Sequence, residues 1–173
     1  MAASLVLHWD DYAFADTWRD FTDSGMFTNH DPAGGRTLYG AEVMVDRSIQ
    51  RSGVGAALHR VRRELAVRHG MRRIRAAARL RGHHLHVQQM SPETYVERIV
   101  RGEMQDPTLS FQLSRGFEVI QVVSGYLRSD PESLGHAAVV EWLNPAMAAE
   151  ADLSGRDPRY LSPARPRDVA PGR

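Results

Sequence analysis

The 173-residue sequence contains no cysteine. That excludes a disulfide framework and every site built on a thiolate, whether zinc, iron–sulfur or nucleophile. Lysine is absent too, because all 22 basic residues are arginine. A Schiff-base lysine and a Walker-type phosphate lysine are therefore excluded. No run of 18 apolar residues exists, so no membrane-spanning helix is expected. Residues Met1 to Ser4 show no basic segment leading into an apolar stretch, so no secretory signal is expected and a cytoplasmic location is the default. Aromatic residues are few, at 8%, yet with 42% hydrophobic residues they suffice to anchor a core, which excludes wholesale disorder.

The net charge of +1 conceals an asymmetry. Residues 1–46 carry two arginines against eight carboxylates, whereas residues 51–82 carry ten arginines against Glu64 alone. A basic block inside a neutral chain points to a specific anionic ligand rather than to general nucleic-acid binding. No aromatic residues are interleaved with these arginines to stack on bases, so nucleic acid is not the expected partner.

Hydrophobic periodicity predicts strands at 4–9, 37–45, 73–80, 117–123 and 136–143. It predicts a helix over 55–69 with a core stripe of Leu58, Val61 and Leu65, leaving Arg60, Arg62, Arg63 and Arg68 largely outside. Ser91-Pro92 and Asp106-Pro107 each open a further helix, the first stopping near Gly102 and the second at Gly116. A short helix is expected near 15–21, and a solvated His-rich loop at 81–90. The order describes one mixed α/β domain over 1–144. Residues 145–173 hold five of the nine prolines and read as a disordered tail.

Gln50-Arg51-Ser52-Gly53-Val54-Gly55-Ala56 links a strand directly to a helix. Such a turn aims successive amides and the positive end of the helix dipole at one point, which suits an anion. It lacks the third glycine of a dinucleotide fingerprint, since position 58 is Leu58. Glu42 is an ionisable residue in an apolar strand: either a general base or a carboxylate paired with Arg75 or Arg79. His83, His84 and His86 have no carboxylate or cysteine at useful spacing, so no metal site is expected.

The Gln-x-x-Gly-x-Gly turn between strand and helix resembles the acetyl-CoA-binding motif of the GNAT superfamily of N-acetyltransferases. Asp106 to Phe117 is similar to that family's helix ending in Gly-Phe. Thr37 to Ala41, Met90 to Val96 and Glu141 to Asn144 are similar, more narrowly, to the acetyltransferase domain found fused to carbon–nitrogen hydrolases. The resemblance covers about residues 4–144 and implies a GNAT-like central sheet with flanking helices. It implies that the CoA pyrophosphate lies on the amides of residues 51–56, with Gln50 shaping the loop and Arg51 and Arg60 nearby. It implies that pantetheine pairs with Val43, Met44 and Val45 where the strands splay, and that an amine acceptor attacks the acetyl thioester. Two departures accompany it. The position of the family's usual tyrosine acid is Gln112, leaving Tyr126 or Tyr95 as substitutes. The N-terminal strand-helix-helix-strand unit is missing, so an exposed edge at 4–9, and a homodimer through it, are expected. The resulting expectation is an acetyl-CoA-dependent N-acyltransferase. The alternatives are a non-catalytic CoA-binding or interaction domain and, third, an arginine-rich RNA-binding module.

Overall fold

Two-residue alternation along the strands, and polar caps at the helix ends, determine how this chain packs. In the computed structural model, the described residues are 1–13, 16–153 and 156–161. Their strands are β1 (Ala2–Leu7), β2 (Thr37–Val43), β3 (Arg73–Arg79), β4 (Glu118–Val123) and β5 (Ala137–Leu143). They form one sheet in the order β1-β2-β3-β5-β4, in which only β2 and β3 run parallel. A parallel neighbour requires a crossover, and α2 (Val54–Arg68) supplies it.

One sheet face carries Ile74, Ala76 and Ala78 of β3 with Leu38 and Val140, beneath Ala66 of α2. The same layer includes Val96 and Ile99 of α3 (Pro92–Val100) and Leu109 of α4 (Leu109–Ser114). The opposite face carries Leu5, Leu7, Tyr39 and Val139, covered by Phe21 of α1 (Trp18–Phe21) and by Tyr126. The Ser91 hydroxyl accepts from Thr94 N at the start of α3, a cap worth about 1 kcal/mol. At α4 the buried Asp106 carboxylate accepts from Thr108 N and Leu109 N at 2.9 Å, from Gly82 N at 2.8 Å, and from the Tyr95 hydroxyl. That one side chain fixes the helix against the 81–90 loop. Among the described residues no helix is long and apolar enough to cross a membrane.

Several expectations are corrected. The helix expected near 15–21 is the single turn Trp18–Phe21, and Ala15 lies outside the described residues. α2 buries His59, Arg62 and Ala66, whereas Val61 and Leu65 are exposed, so its packed face is rotated from the apolar stripe. Arg62 can face inward because backbone carbonyls receive its charge. His83 is not solvated but buried beside Tyr95 and His136.

The tail is ordered where it is described. Tyr160 is buried in the main core cluster, and Arg156 pairs with Glu118 and, at 2.7 Å, with Glu141. Glu118 and Glu141 stand opposite each other in the β4–β5 ladder, so the arginine relieves a like-charge repulsion. Composition alone hides a segment anchored by one tyrosine and one arginine. Residues 162–173 lie outside the described residues. The outer edge of β1 is not bare at Val6: its N–H donates to His30 Nδ1 at 3.0 Å, and its carbonyl accepts from Asp31 N.

Candidate active site

The β2–β3 ladder runs from Thr37 opposite Arg73 to Gly40 opposite Ala76 and stops there. β2 continues to Val43 and β3 to Arg79, so the two strands diverge. A cavity of about 490 Å³ occupies the gap. Arg62, Thr108 and Gln112 line it from the helix layer, and Trp18, Tyr39 and Tyr126 line it from the other side of the sheet.

A β-bulge shapes the wall of this gap. Ala3 pairs with Glu42 and Leu5 with Tyr39, so Gly40 and Ala41 together oppose Ser4. The extra residue shifts the alternation by one position. Glu42, opposite Ala3, stands just past the bulge and lines the cavity. Arg62 occupies the bulge from beneath. Its Nη2 donates to the carbonyls of Ala3 at 2.9 Å and Glu42 at 2.8 Å, and its Nε donates to Ser4 Oγ at 3.0 Å. A Cβ at position 40 would stand 2.9 Å from Arg62 Nη1, so any larger residue there would have to displace the guanidinium.

Glu42 lines the cavity, and its carboxylate forms no ion pair among the described residues. The expected partners are engaged elsewhere: Arg75 with Glu141 at 2.6 Å, and Arg79 with Asp130 and Glu132. The pairing alternative for Glu42 is thereby corrected.

Beyond β2 the chain turns through a compact loop. The Asp46 carboxylate accepts from Ser48 N and Ser48 Oγ, and Gln50 Nε2 donates to Val45 O at 3.2 Å, closing the loop's neck. Arg51 and Gly53 take left-handed φ values of +65° and +89°. Gly53 caps α2 in a conformation that costs a residue with a side chain about 1 to 2 kcal/mol. The amides of Arg51, Gly53, Val54, Gly55 and Ala56 donate to no protein group among the described residues. Ser52 is different, since its N–H reaches Ile49 O at 3.4 Å. Of the expected run 51–56, Ser52 is thus turned away. Met44 N–H is likewise engaged, by Met1 O at 2.9 Å, and Val43 and Met44 line the cavity.

The two tyrosine candidates separate clearly. Tyr95 donates to Asp106 and lies outside the cavity lining. Tyr126 lines the cavity, is buried, and shares a hydrogen bond with the Tyr39 hydroxyl. Burial pushes both phenols' pKa values up, so both are protonated across the neutral range. The pair joins residues 87 apart in sequence, and no periodicity announces it. Gln112 projects from α4 into the lining, and its buried Oε1 has no partner among the described residues. On the helix side His59 is buried, and neither ring nitrogen has a partner among the described residues. Burial first, then the charges of Arg62, Arg63 and Arg115, lower its pKa to about 4.

The splayed parallel pair, the bulged strand and the glycine turn opening into α2 define a GNAT-like α/β fold. Two solved structures share it. A GNAT-like decarboxylase, GphF, in complex with isobutyryl-CoA matches with a TM-score of 0.64 at 19% identity, over 82% of this chain and 70% of that one. The loading GNATL domain of CurA from Lyngbya majuscula matches with a TM-score of 0.60 at 17% identity, over 82% and 69%. In sequence, the chain is 37% identical over 142 residues to the Bacillus subtilis protein named "Probable hydrolase YhcX". It is 33% identical over 141 residues to "Uncharacterized N-acetyltransferase YkwB" of the same organism. Both matches cover 82% of this chain, which spans 28% of the first relative's length and 62% of the second's. No protein-family model matches the chain. The structural likenesses show that the chain has a GNAT-like fold.

Proposed function

We propose that this domain is an acyl-CoA-dependent N-acyltransferase, with acetyl-CoA as the reference donor and a primary amine as acceptor. The observation that carries the proposal is the set of unengaged amides at Arg51 and Gly53 to Ala56, in the turn that leads from the end of β2, past its last pairing with β3, into α2. A diphosphate satisfies such amides together, and the dipole of α2 adds to the attraction. Pantetheine enters the gap alongside Val43 and Val45 like an added strand. The amine nitrogen attacks the thioester carbon, Glu42 takes the proton it sheds, the C–S bond breaks, and the departing thiolate takes a proton from Tyr126. A general base of this kind contributes about 10²- to 10⁴-fold.

Calorimetry with CoA and thiol release with a panel of amines test this reading. Saturable binding together with amine-dependent thiol release is the expected outcome, and no binding would remove it. A second reading, a CoA-binding domain without chemistry, draws on Gln112 in place of the usual acid and on Tyr126 being held by Tyr39. Binding without thiol release from any amine would favour that reading.

A further inference from the structure

Arg62 is the least expected charge in the molecule. The residue is 5% exposed, and no carboxylate among the described residues pairs with it. Buried cations are ordinarily neutralised by a counter-ion, because dipoles alone repay little of the lost hydration. Its neighbours do not compensate. His59 is held neutral in part by the positive charge of Arg62 itself, and Arg63 and Arg115 add charge of the same sign. Of the other ionisable residues lining the cavity, Arg79 is already paired with Asp130 and Glu132. Glu42 offers Arg62 only its main-chain carbonyl.

The guanidinium also has a free end. Nε and Nη2 are committed to Ser4, Ala3 and Glu42, whereas Nη1 donates to no protein group among the described residues. Nη1 lies against Gly40, which with Ala76 forms the last rung before the strands part. Arg62 therefore stands at the closed apex of the gap, and the glycine turn follows the end of β2, beyond the point where the strands part. An acyl-CoA that enters from the turn brings its acyl group, the far end of the pantetheine arm, toward the apex.

From this arrangement we infer that the domain selects an acyl-CoA whose acyl group ends in a carboxylate, and that Arg62 Nη1 receives that carboxylate. The inference rests on the acyl-CoA reading above and narrows its donor from acetyl to the monothioester of a dicarboxylic acid. The carboxylate supplies the counter-ion that the fold withholds, and a charged hydrogen bond at a dry site discriminates strongly against an uncharged chain of equal length.

The experiment is calorimetry of the intact chain with CoA, butyryl-CoA and succinyl-CoA, the last two sharing a four-carbon acyl chain. Succinyl-CoA is expected to bind at least tenfold more tightly than butyryl-CoA, at both 0.05 M and 0.5 M salt. Attraction to exposed arginines such as Arg60 would fade at the higher salt, because surface charges are screened there. In Arg62→Met the preference is expected to disappear while CoA still binds. Equal binding of the two acyl-CoAs, or a preference that vanishes in high salt, would overturn the inference and leave the acyl-CoA reading intact. A preference that persists in a folded Arg62→Met would overturn the role of Arg62. No binding of CoA itself would remove the acyl-CoA reading, and this inference with it. Should Arg62→Met fail to fold by circular dichroism, the wild-type comparison across salt still decides, and Arg62→Lys, which keeps the charge, is expected to retain the preference.

Discussion

Arg62 Nη1 rests against the backbone of Gly40, so close that a Cβ at position 40 would stand 2.9 Å from it and 3.3 Å from the Ala76 Cβ. Helix, bulge and gap are therefore one device. Arg62 satisfies the Ala3 and Glu42 carbonyls at the bulge, and Arg62 and Glu42 both line the gap. Gly40→Ala is expected to destabilise the fold by about 1 to 3 kcal/mol, since the arginine is pinned and cannot yield. Urea denaturation checks this, and an unchanged midpoint would mean that the guanidinium is free to move.

His59 gives the fold a pH signature. Its folded pKa of about 4 lies below the ordinary value of 6.5, because burial and nearby arginines disfavour the imidazolium. The unfolded chain binds a proton that the folded chain refuses. Stability from this site is thus complete above pH 6.5 and is lost as pH falls toward 4, an effect of roughly 3 kcal/mol. His59→Leu removes no hydrogen bond, as neither ring nitrogen has a partner among the described residues. The variant is expected to keep wild-type stability at pH 7 and to lose less of it by pH 4.5. The His83 pKa is lowered as well, so the slope shrinks without vanishing. Denaturation midpoints at the two pH values decide, and parallel losses in both proteins would contradict the assignment.

Tyr39 and Tyr126 separate a structural role from a chemical one. Either tyrosine-to-phenylalanine change strands the other buried hydroxyl, at a cost of about 1 to 3 kcal/mol. Only Tyr126→Phe removes the proposed acid. It is expected to lower kcat by at least tenfold, with CoA affinity unchanged, whereas Tyr39→Phe lowers stability by a similar amount with a smaller effect on kcat. Equal rates for the two variants would deny Tyr126 its chemical role.

Glu42→Gln keeps the main-chain carbonyl that Arg62 holds and removes only the carboxylate. Binding of CoA is expected to be unaffected and amine-dependent thiol release to fall by about 10²-fold or more. A rate within twofold of wild type would exclude Glu42 as the base.

Much of this site was legible in local sequence. Gln50 to Ala56 announces the turn because glycine spacing and a following helix are short-range signals. Ser91 and Asp106 announce their helices because caps act within one turn. The alternation of Ile74, Ala76 and Ala78 also reads directly onto the main core face. What remained hidden depends on distant partners. Periodicity assigns Val61 and Leu65 to the core of α2, yet Arg62 lies inward because the Ala3 and Glu42 carbonyls await it across the sheet. No sequence rule places a bulge at Gly40 and Ala41, joins Tyr39 to Tyr126, or shows that Tyr160 anchors a proline-rich segment.

The central claim is that the turn from Val45 to Ala56 holds the diphosphate of CoA, and Gly53 tests it most directly. Nothing lies within 4 Å of a Cβ at Gly53, so the Cβ that Gly53→Val adds meets open space and the change acts chiefly through the +89° backbone that aims the amides. Calorimetry of CoA against wild type and Gly53→Val is the measurement. Saturable binding to wild type, weakened at least tenfold in a variant that is still folded, is the predicted result. Equal affinity for the two proteins, or no saturable binding to either, would contradict the account.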